Sequence, residues 1–299
     1  MRQSAVGNQA SALGDHRSAG DSVTARLGPE QITEVLQAAG VLGCENRVER
    51  TVLAPLGADQ SMMSSLYRVS LDYEQPCTAP STVIAKVACE EPVRRSVADR
   101  FSFYEREIFF YERLADSVSF RVPECFYASL GSTAGGPMLI LEDLGDVGVA
   151  QVEGCTWEQA VLVARELARF HARWWGRVDS LDRDVHSFTS ADYLENIQSI
   201  FTASWPSCVG HAGHRIPAEL RSLGDRWATD VVAPMASIMA TPATLCHGDL
   251  RLDNLRIDRS SMVVFDFQLL VRGNGVTDLA YFMSQSVPVS VRSGRDLEI

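Results

Sequence analysis

Paired cysteines are missing from this chain. Its seven cysteines, Cys44, Cys77, Cys89, Cys125, Cys155, Cys208 and Cys246, are scattered, odd in number and never in C-x-x-C spacing. That argues against a disulfide framework or a zinc ribbon and fits a reducing cytoplasm. An apolar N-terminal core is also missing, so Met1-Arg-Gln-Ser-Ala-Val-Gly-Asn is not a signal peptide. The most apolar long stretch, Val231 to Cys246, contains Pro234 and Pro242 and is too short to span a bilayer. Basic residues are the minority, 27 Lys and Arg against 38 Asp and Glu, giving a net charge of −11 and a pI of about 5.0. This balance disfavours non-specific nucleic-acid binding. No internal repeat is present. Residues 1 to 25 are small, polar and aperiodic, the composition of a disordered tail.

What is there is ordinary globular material: 299 residues, 46% hydrophobic and 22% charged. That suits one large domain or two lobes sharing a cleft. Pro29 to Gly40 reads as a short helix, with proline near its start and glycine as its stop. Arg50-Thr-Val-Leu, Leu66-Tyr-Arg-Val-Ser-Leu and Thr82-Val-Ile-Ala-Lys-Val read as strands. Phe101, Tyr104, Ile108, Tyr111 and Leu114 recur at helical spacing and predict one amphipathic helix from about Ser96 to Ala115. Val122-Pro-Glu-Cys-Phe-Tyr-Ala and Pro137-Met-Leu-Ile-Leu-Glu142-Asp-Leu add two strands. Thr156-Trp-Glu-Gln159 has capping-box spacing and opens a long helix toward Trp175, stopped by Gly176. Residues 180 to 240 are helical and loop-like. The order predicts a strand-rich lobe over 26–143 with one main helix and a helical lobe over 144–299.

The chemistry concentrates in His247-Gly-Asp-Leu-Arg-Leu-Asp-Asn254, followed by Val263-Val-Phe-Asp266-Phe-Gln268. The spacing H-x-D-L-x-x-x-N then D-F fits the catalytic loop and metal-binding aspartate of phosphoryl transfer. Such chemistry needs a carboxylate to align a hydroxyl, and oxygen ligands to hold Mg²⁺, rather than a nucleophile. Asp249 is the candidate base or hydroxyl acceptor. Asn254 and Asp266 are candidate hard ligands for Mg²⁺. His247 reads as structural, tying the loop to neighbouring backbone, and Asp253 as solvent-facing or capping. Asp278 could N-cap the following helix. His171 and the Trp174-Trp175 pair read as packing in the core of the helical lobe.

Upstream, Lys86 lies on the third strand, where a cation facing a cleft would hold the α- and β-phosphates of ATP. Its bland alternative is a surface lysine on an edge strand. Glu107 precedes the apolar run Ile108-Phe-Phe-Tyr and is the preferred ion-pair partner, with Glu105 and Glu112 as competitors. Leu56-Gly57 to Ser64 sits where a phosphate-covering hairpin would. It carries one glycine where two or three are usual, so an ordinary hairpin turn is an equally good reading.

His247 to Asn254, Phe265-Asp-Phe-Gln268 and Asp278-Leu-Ala-Tyr-Phe282 resemble the aminoglycoside phosphotransferase and choline kinase superfamily, most of all its ecdysteroid-kinase-like branch. Leu139 to Leu144 and Leu167 to Trp175 look familial too. The resemblance runs over roughly residues 28 to 290. It implies an α+β, bilobal protein-kinase-like fold, with a small antiparallel sheet in one lobe and a mostly helical second lobe. It also implies ATP between the lobes, adenine on backbone groups of Glu142 to Leu144, and phosphates on Lys86 with Glu107. Mg²⁺ would sit on Asn254 and Asp266, Asp249 would carry the catalytic role, and Asp278 would steady the catalytic loop.

Two departures from a regulated protein kinase stand out. Gly248 replaces the arginine that reads a phosphorylated activation loop, and only a short segment separates Asp266 from Asp278. Both point to a small-molecule alcohol acceptor and constitutive activity. Family members continue through further helices that help build the acceptor pocket, so a chain ending at Ile299 is expected to be truncated there. Competing readings are an inactive nucleotide-binding relative and a metallophosphoesterase. The latter would need a G-D-x-x-D signature, and here the second aspartate falls one place late. The sequence does not identify a protein partner.

Overall fold

The structure, a computed structural model, describes residues 23–56, 63–131, 136–145, 151–181, 185–238, 242–258 and 260–295. These fall into two compact units, one within Met1–Glu112 and Pro123–Gly145, the other within Arg113–Val122 and Asp146–Ile299. Gly57, and most of the expected tail, lie outside the described residues. At Val23 to Arg26 the chain is already helical, and Val23 and Leu27 enter the core. Apolar side chains at these positions draw residues 23 to 25, assigned above to the tail, into the first unit.

The first unit is built on five antiparallel strands: β1 (Val48–Leu56), β2 (Ser64–Tyr73), β3 (Thr82–Ala88), β4 (Cys125–Ser129) and β5 (Met138–Glu142). Their order across the sheet is β1-β2-β3-β5-β4. β3 is therefore a central strand, paired on both sides. Side chains alternate across a strand. Val83, Ala85 and Val87 thus enter the core beside Val69 and Ile140, with Ile32 and Leu36 from helix α1 (Pro29–Ala38). The same alternation turns Lys86 to the opposite face, where it is only 8% exposed.

The single helix expected from Ser96 to Ala115 is two helices, α2 (Pro92–Arg100) and α3 (Phe103–Phe109), followed by a π-helical turn over Phe110–Leu114. Glu91 caps α2 by accepting from the Val93 and Arg94 backbone N–H groups. The break falls at Ser102, whose φ of 53° is left-handed. In a continuous helix Phe101 and Phe103 would point about 200° apart. The break lets both rings be buried and stack at 5.6 Å.

The second unit opens with α4 (Trp157–Trp174), whose Thr156 and Gln159 form a reciprocal capping box. Its buried stripe is Ala160, Val163, Leu167, Phe170 and His171. The expected core role of the tryptophan pair does not hold. Trp175 leaves the helix at the C-cap and is 49% exposed, while Trp174 is half-buried. Helices α5 (Ala191–Ala212), α6 (Ala218–Thr229) and α7 (Val232–Ile238) fill the middle region. Two short hairpin-like sheets follow, β6 (Thr244–Cys246) with β9 (Val271–Gly273) and β7 (Leu255–Ile257) with β8 (Met262–Val264). Helices α8 (Val276–Ser286) and α9 (Val289–Arg292) close the described chain. Among the described residues no helix is long and apolar enough to cross a membrane.

The left-handed turn at Ser102 gives a test. A β-branched side chain is disfavoured there by about 1–2 kcal/mol, whereas glycine is not. Ser102→Val should therefore lower the urea unfolding free energy by that amount, and Ser102→Gly should leave it unchanged or raise it.

Candidate active site

In the first unit the ion pair is direct. Lys86 Nζ lies 2.6 Å from Glu107 Oε2, with side-chain exposures of 8% and 3%. Glu105 and Glu112 are both exposed. One turn before Glu107, the Tyr104 hydroxyl donates to Met63 O at 2.6 Å and accepts from the Cys89 N–H at 3.1 Å. Tyr104 thereby fixes the helix bearing Glu107 to the end of the strand bearing Lys86 and to the start of β2. Breaking a buried pair by truncating one partner strands the other charge, so this contact is costly to lose. Of the expected adenine contacts, Glu142 ends β5 and Leu144 lies two residues beyond it, and both are half-buried.

In the second unit the functional loop hangs from Asp278. This carboxylate is 1% exposed. Its Oδ2 accepts from the His247 backbone N–H at 2.8 Å and contacts His171 Nε2 at 3.0 Å. Its Oδ1 accepts from the Gly248 backbone N–H at 2.9 Å. The helix that carries Asp278 has Gly275 as N-cap and no side-chain cap, so capping is not what Asp278 does. His171 is held in turn by its own carbonyl, which accepts from the Thr244 hydroxyl at 2.7 Å.

His247 extends the suspension. Nε2 lies 3.1 Å from Phe265 O, which can only accept, and Nδ1 takes the Asp249 backbone N–H at 3.2 Å. These partners select the neutral Nε2–H tautomer. Gly248, between them, has a φ of +85°, and a Cβ there would meet Leu269 O at 2.1 Å. Only glycine fits this turn.

Asp249 emerges from this frame with defined neighbours. Asn254 Nδ2 donates to Asp249 O at 2.8 Å and to Asp249 Oδ2 at 3.0 Å. Arg251 Nε stands 3.7 Å from Asp249 Oδ2, and Arg251 Nη1 lies 3.8 Å from Asp253 Oδ2. Asp253 is exposed. Tyr281 is 36% exposed, and desolvation of its phenol, then the neighbouring Asp249 carboxylate, push it up to about 12.

Asn254 and Asp266 are brought together by the β7–β8 hairpin. Its register pairs Leu255 with Val264, and the Phe265 N–H donates to Asn254 O at 3.1 Å. Both residues therefore leave the same end of the hairpin. Asp266 is left-handed, at φ 67°, an uncommon conformation for a residue other than glycine. With its Nδ2 committed to Asp249, Asn254 has its amide oxygen left as the ligand atom, and Asp266 supplies a carboxylate. This all-oxygen donor set fits a hard divalent cation.

His171, Cys246 and Asp278 also bring possible ligand atoms within 4.8 Å of one another. The Asp278 oxygens already serve three N–H partners, and burial, with Asp278 nearby, holds the Cys246 thiol well above its ordinary value. That cluster is a structural knot. The polar role of His171 has no local signal in the sequence, since its partner lies 107 residues away. The only local signal of Tyr281 is its place one turn beyond Asp278.

A family model described as ecdysteroid kinase-like matches residues 59–297. The chain belongs to the ecdysteroid kinase-like family. No curated protein matches it. Among solved structures it is similar to the aminoglycoside phosphotransferase APH(2″)-IIia in a GDP and kanamycin complex, at 14% identity and a TM-score of 0.51. That alignment covers 88% of this chain and 80% of the other. It is also similar to choline kinase from Cryptosporidium parvum Iowa II, at 13% identity and a TM-score of 0.50, over 79% of this chain and 63% of that one. The ecdysteroid kinase-like chain thus has the kinase-like α+β fold of these enzymes.

Two substitutions test the suspension. Asp278→Ala removes a buried charge that serves two backbone N–H groups and His171, and should cost about 3 kcal/mol or more in urea unfolding. Gly248→Ala should cost about 1–3 kcal/mol through backbone strain alone, before the Leu269 clash is counted.

Proposed function

We propose that this chain is a phosphotransferase that moves the γ-phosphate of ATP to a hydroxyl of a small molecule. The observation that carries the reading is Asp249 held by Asn254 on a loop suspended from Asp278, with Asp266 leaving the adjacent hairpin end. Family membership and fold support a small-molecule phosphotransferase. The similar structure in complex with GDP and kanamycin is in keeping with nucleotide binding.

In this reading Lys86, oriented by Glu107, binds the α- and β-phosphates. Asp249 accepts the acceptor's hydroxyl proton as the oxygen attacks the γ-phosphorus. The new O–P bond forms while the bond to the β-phosphate oxygen breaks, releasing ADP, and Asp249 passes its proton to solvent. Asn254 and Asp266 would hold Mg²⁺, which when bound neutralises charge on the phosphates. Asn254 has a second task. By donating to both the backbone and the side chain of Asp249 it fixes the carboxylate's orientation toward the acceptor oxygen.

Adding Mg²⁺ and ATP should raise the melting temperature, and removing Mg²⁺ with a chelator should reverse most of that gain. In an acceptor screen that follows ADP release, Asp249→Ala should lower turnover at least about a hundredfold while nucleotide still binds. Asp266→Ala should abolish the Mg²⁺ dependence of binding; unchanged Mg²⁺ dependence would contradict the metal assignment.

A further inference from the structure

We propose that Arg68 and Asp143 are a positioning pair for the nucleotide base, clamping the segment from Glu142 to Gly145 into the shape that presents its backbone to adenine. The inference rests on the phosphotransferase reading above.

Asp143 is the first residue beyond β5, where a chain leaving a sheet normally loosens. Here it does not. Arg68 grips its carboxylate with both arms of the guanidinium, Nε to Oδ2 at 2.7 Å and Nη2 to Oδ1 at 3.2 Å. The side chains are 24% and 6% exposed, so the bridge is poorly screened. Asp143 Oδ1 also accepts the Gly145 N–H at 2.9 Å, which closes the turn after the strand. Glu142, just before, is tied to the residue preceding β4: its N–H donates to Glu124 O at 2.8 Å, and its Oε2 accepts the Glu124 N–H at 3.1 Å. Burial alone would raise the Asp143 carboxyl. Arg68, the Gly145 N–H and the Thr82 hydroxyl outweigh burial and hold it below the usual carboxylate value.

Register says where this clamp sits. Leu66 pairs with Lys86 and Arg68 with Ile84; Lys86 pairs with Leu139 and Ile84 with Leu141. Paired residues share a face, so Arg68 lies on the Lys86 side of the sheet, away from the core packed by α1. One face of one sheet thus carries a phosphate cation at Lys86 and, one row along, a guanidinium anchoring the base segment. The two have separable jobs: Lys86 addresses charge, Arg68 addresses the shape of the backbone.

Calorimetric titration of adenosine, ADP and MgATP into the full chain separates them. Arg68→Ala and Asp143→Ala should each weaken all three ligands by a similar factor of about ten, equivalent to about 1.4 kcal/mol. The double variant should be no worse than either single one. Lys86→Ala should weaken MgATP and ADP and leave adenosine unchanged. Arg68→Lys, which keeps the charge but not the fork, should fall between wild type and Arg68→Ala, and it serves if the alanine variants fold poorly. Adenosine affinity within twofold of wild type in Arg68→Ala or Arg68→Lys overturns the positioning role. So does a loss confined to the phosphate-bearing ligands. A wild-type chain that binds none of the three overturns the phosphotransferase reading itself, and the clamp with it.

Discussion

The second unit depends on one buried carboxylate. Asp278 has almost no contact with water, yet both its oxygens are occupied, by two consecutive backbone N–H groups of the functional loop and by His171. An ionised carboxylate in such a place is tolerable only because charge-assisted hydrogen bonds replace its hydration. Once they do, the geometry is rigid. His247 and Gly248 cannot shift without stranding the charge, and Asp249, the next residue, inherits their position. A carboxylate on a loop would ordinarily be free to wander. This one is set from behind by a helix thirty residues further on in sequence, since Gly248 and Asp278 are 30 apart.

The first unit solves a similar problem by sheet register rather than by a suspended loop. A lysine in a central strand must face either the core or the other side of the sheet, and the strict alternation of β3 decides between them. Once Lys86 is turned from the core, a carboxylate on a neighbouring helix is needed to make its burial affordable, and Glu107 is there. Tyr104 fixes the distance between helix and strand. The position of the cation is thus over-determined by backbone pairing, ion pairing and one hydroxyl.

Much of this was legible in the residues, for a physical reason. Strands with β-branched alternation, the Thr156–Gln159 capping box and the His247–Asn254 spacing are local patterns, and local patterns survive in one dimension. Periodicity predicts one helix from Ser96 to Ala115 because the apolar spacing is correct on both sides of Ser102. What breaks it is the shared burial of Phe101 and Phe103, a tertiary demand that periodicity does not express. The same holds for His171 with Asp278 and for Arg68 with Asp143, pairs separated by 107 and 75 residues. Each side chain alone looks like an ordinary member of its helix or strand. Trp175 departs from expectation for the opposite reason: its size suggests the core, but the helix ends beneath it.

Gly248 carries one last implication, for how this loop can change over evolutionary time. With φ at +85° and the Leu269 carbonyl where a Cβ would go, no single codon change at position 248 can introduce a side chain and keep the turn. A descendant that acquired an arginine there, to be governed by a phosphate elsewhere on its surface, would first have to move the Leu269 turn. Two coupled changes, the first harmful alone, separate this loop from that form of control. The constraint is a steric ratchet: glycine at this turn is the state that a single mutational step does not leave.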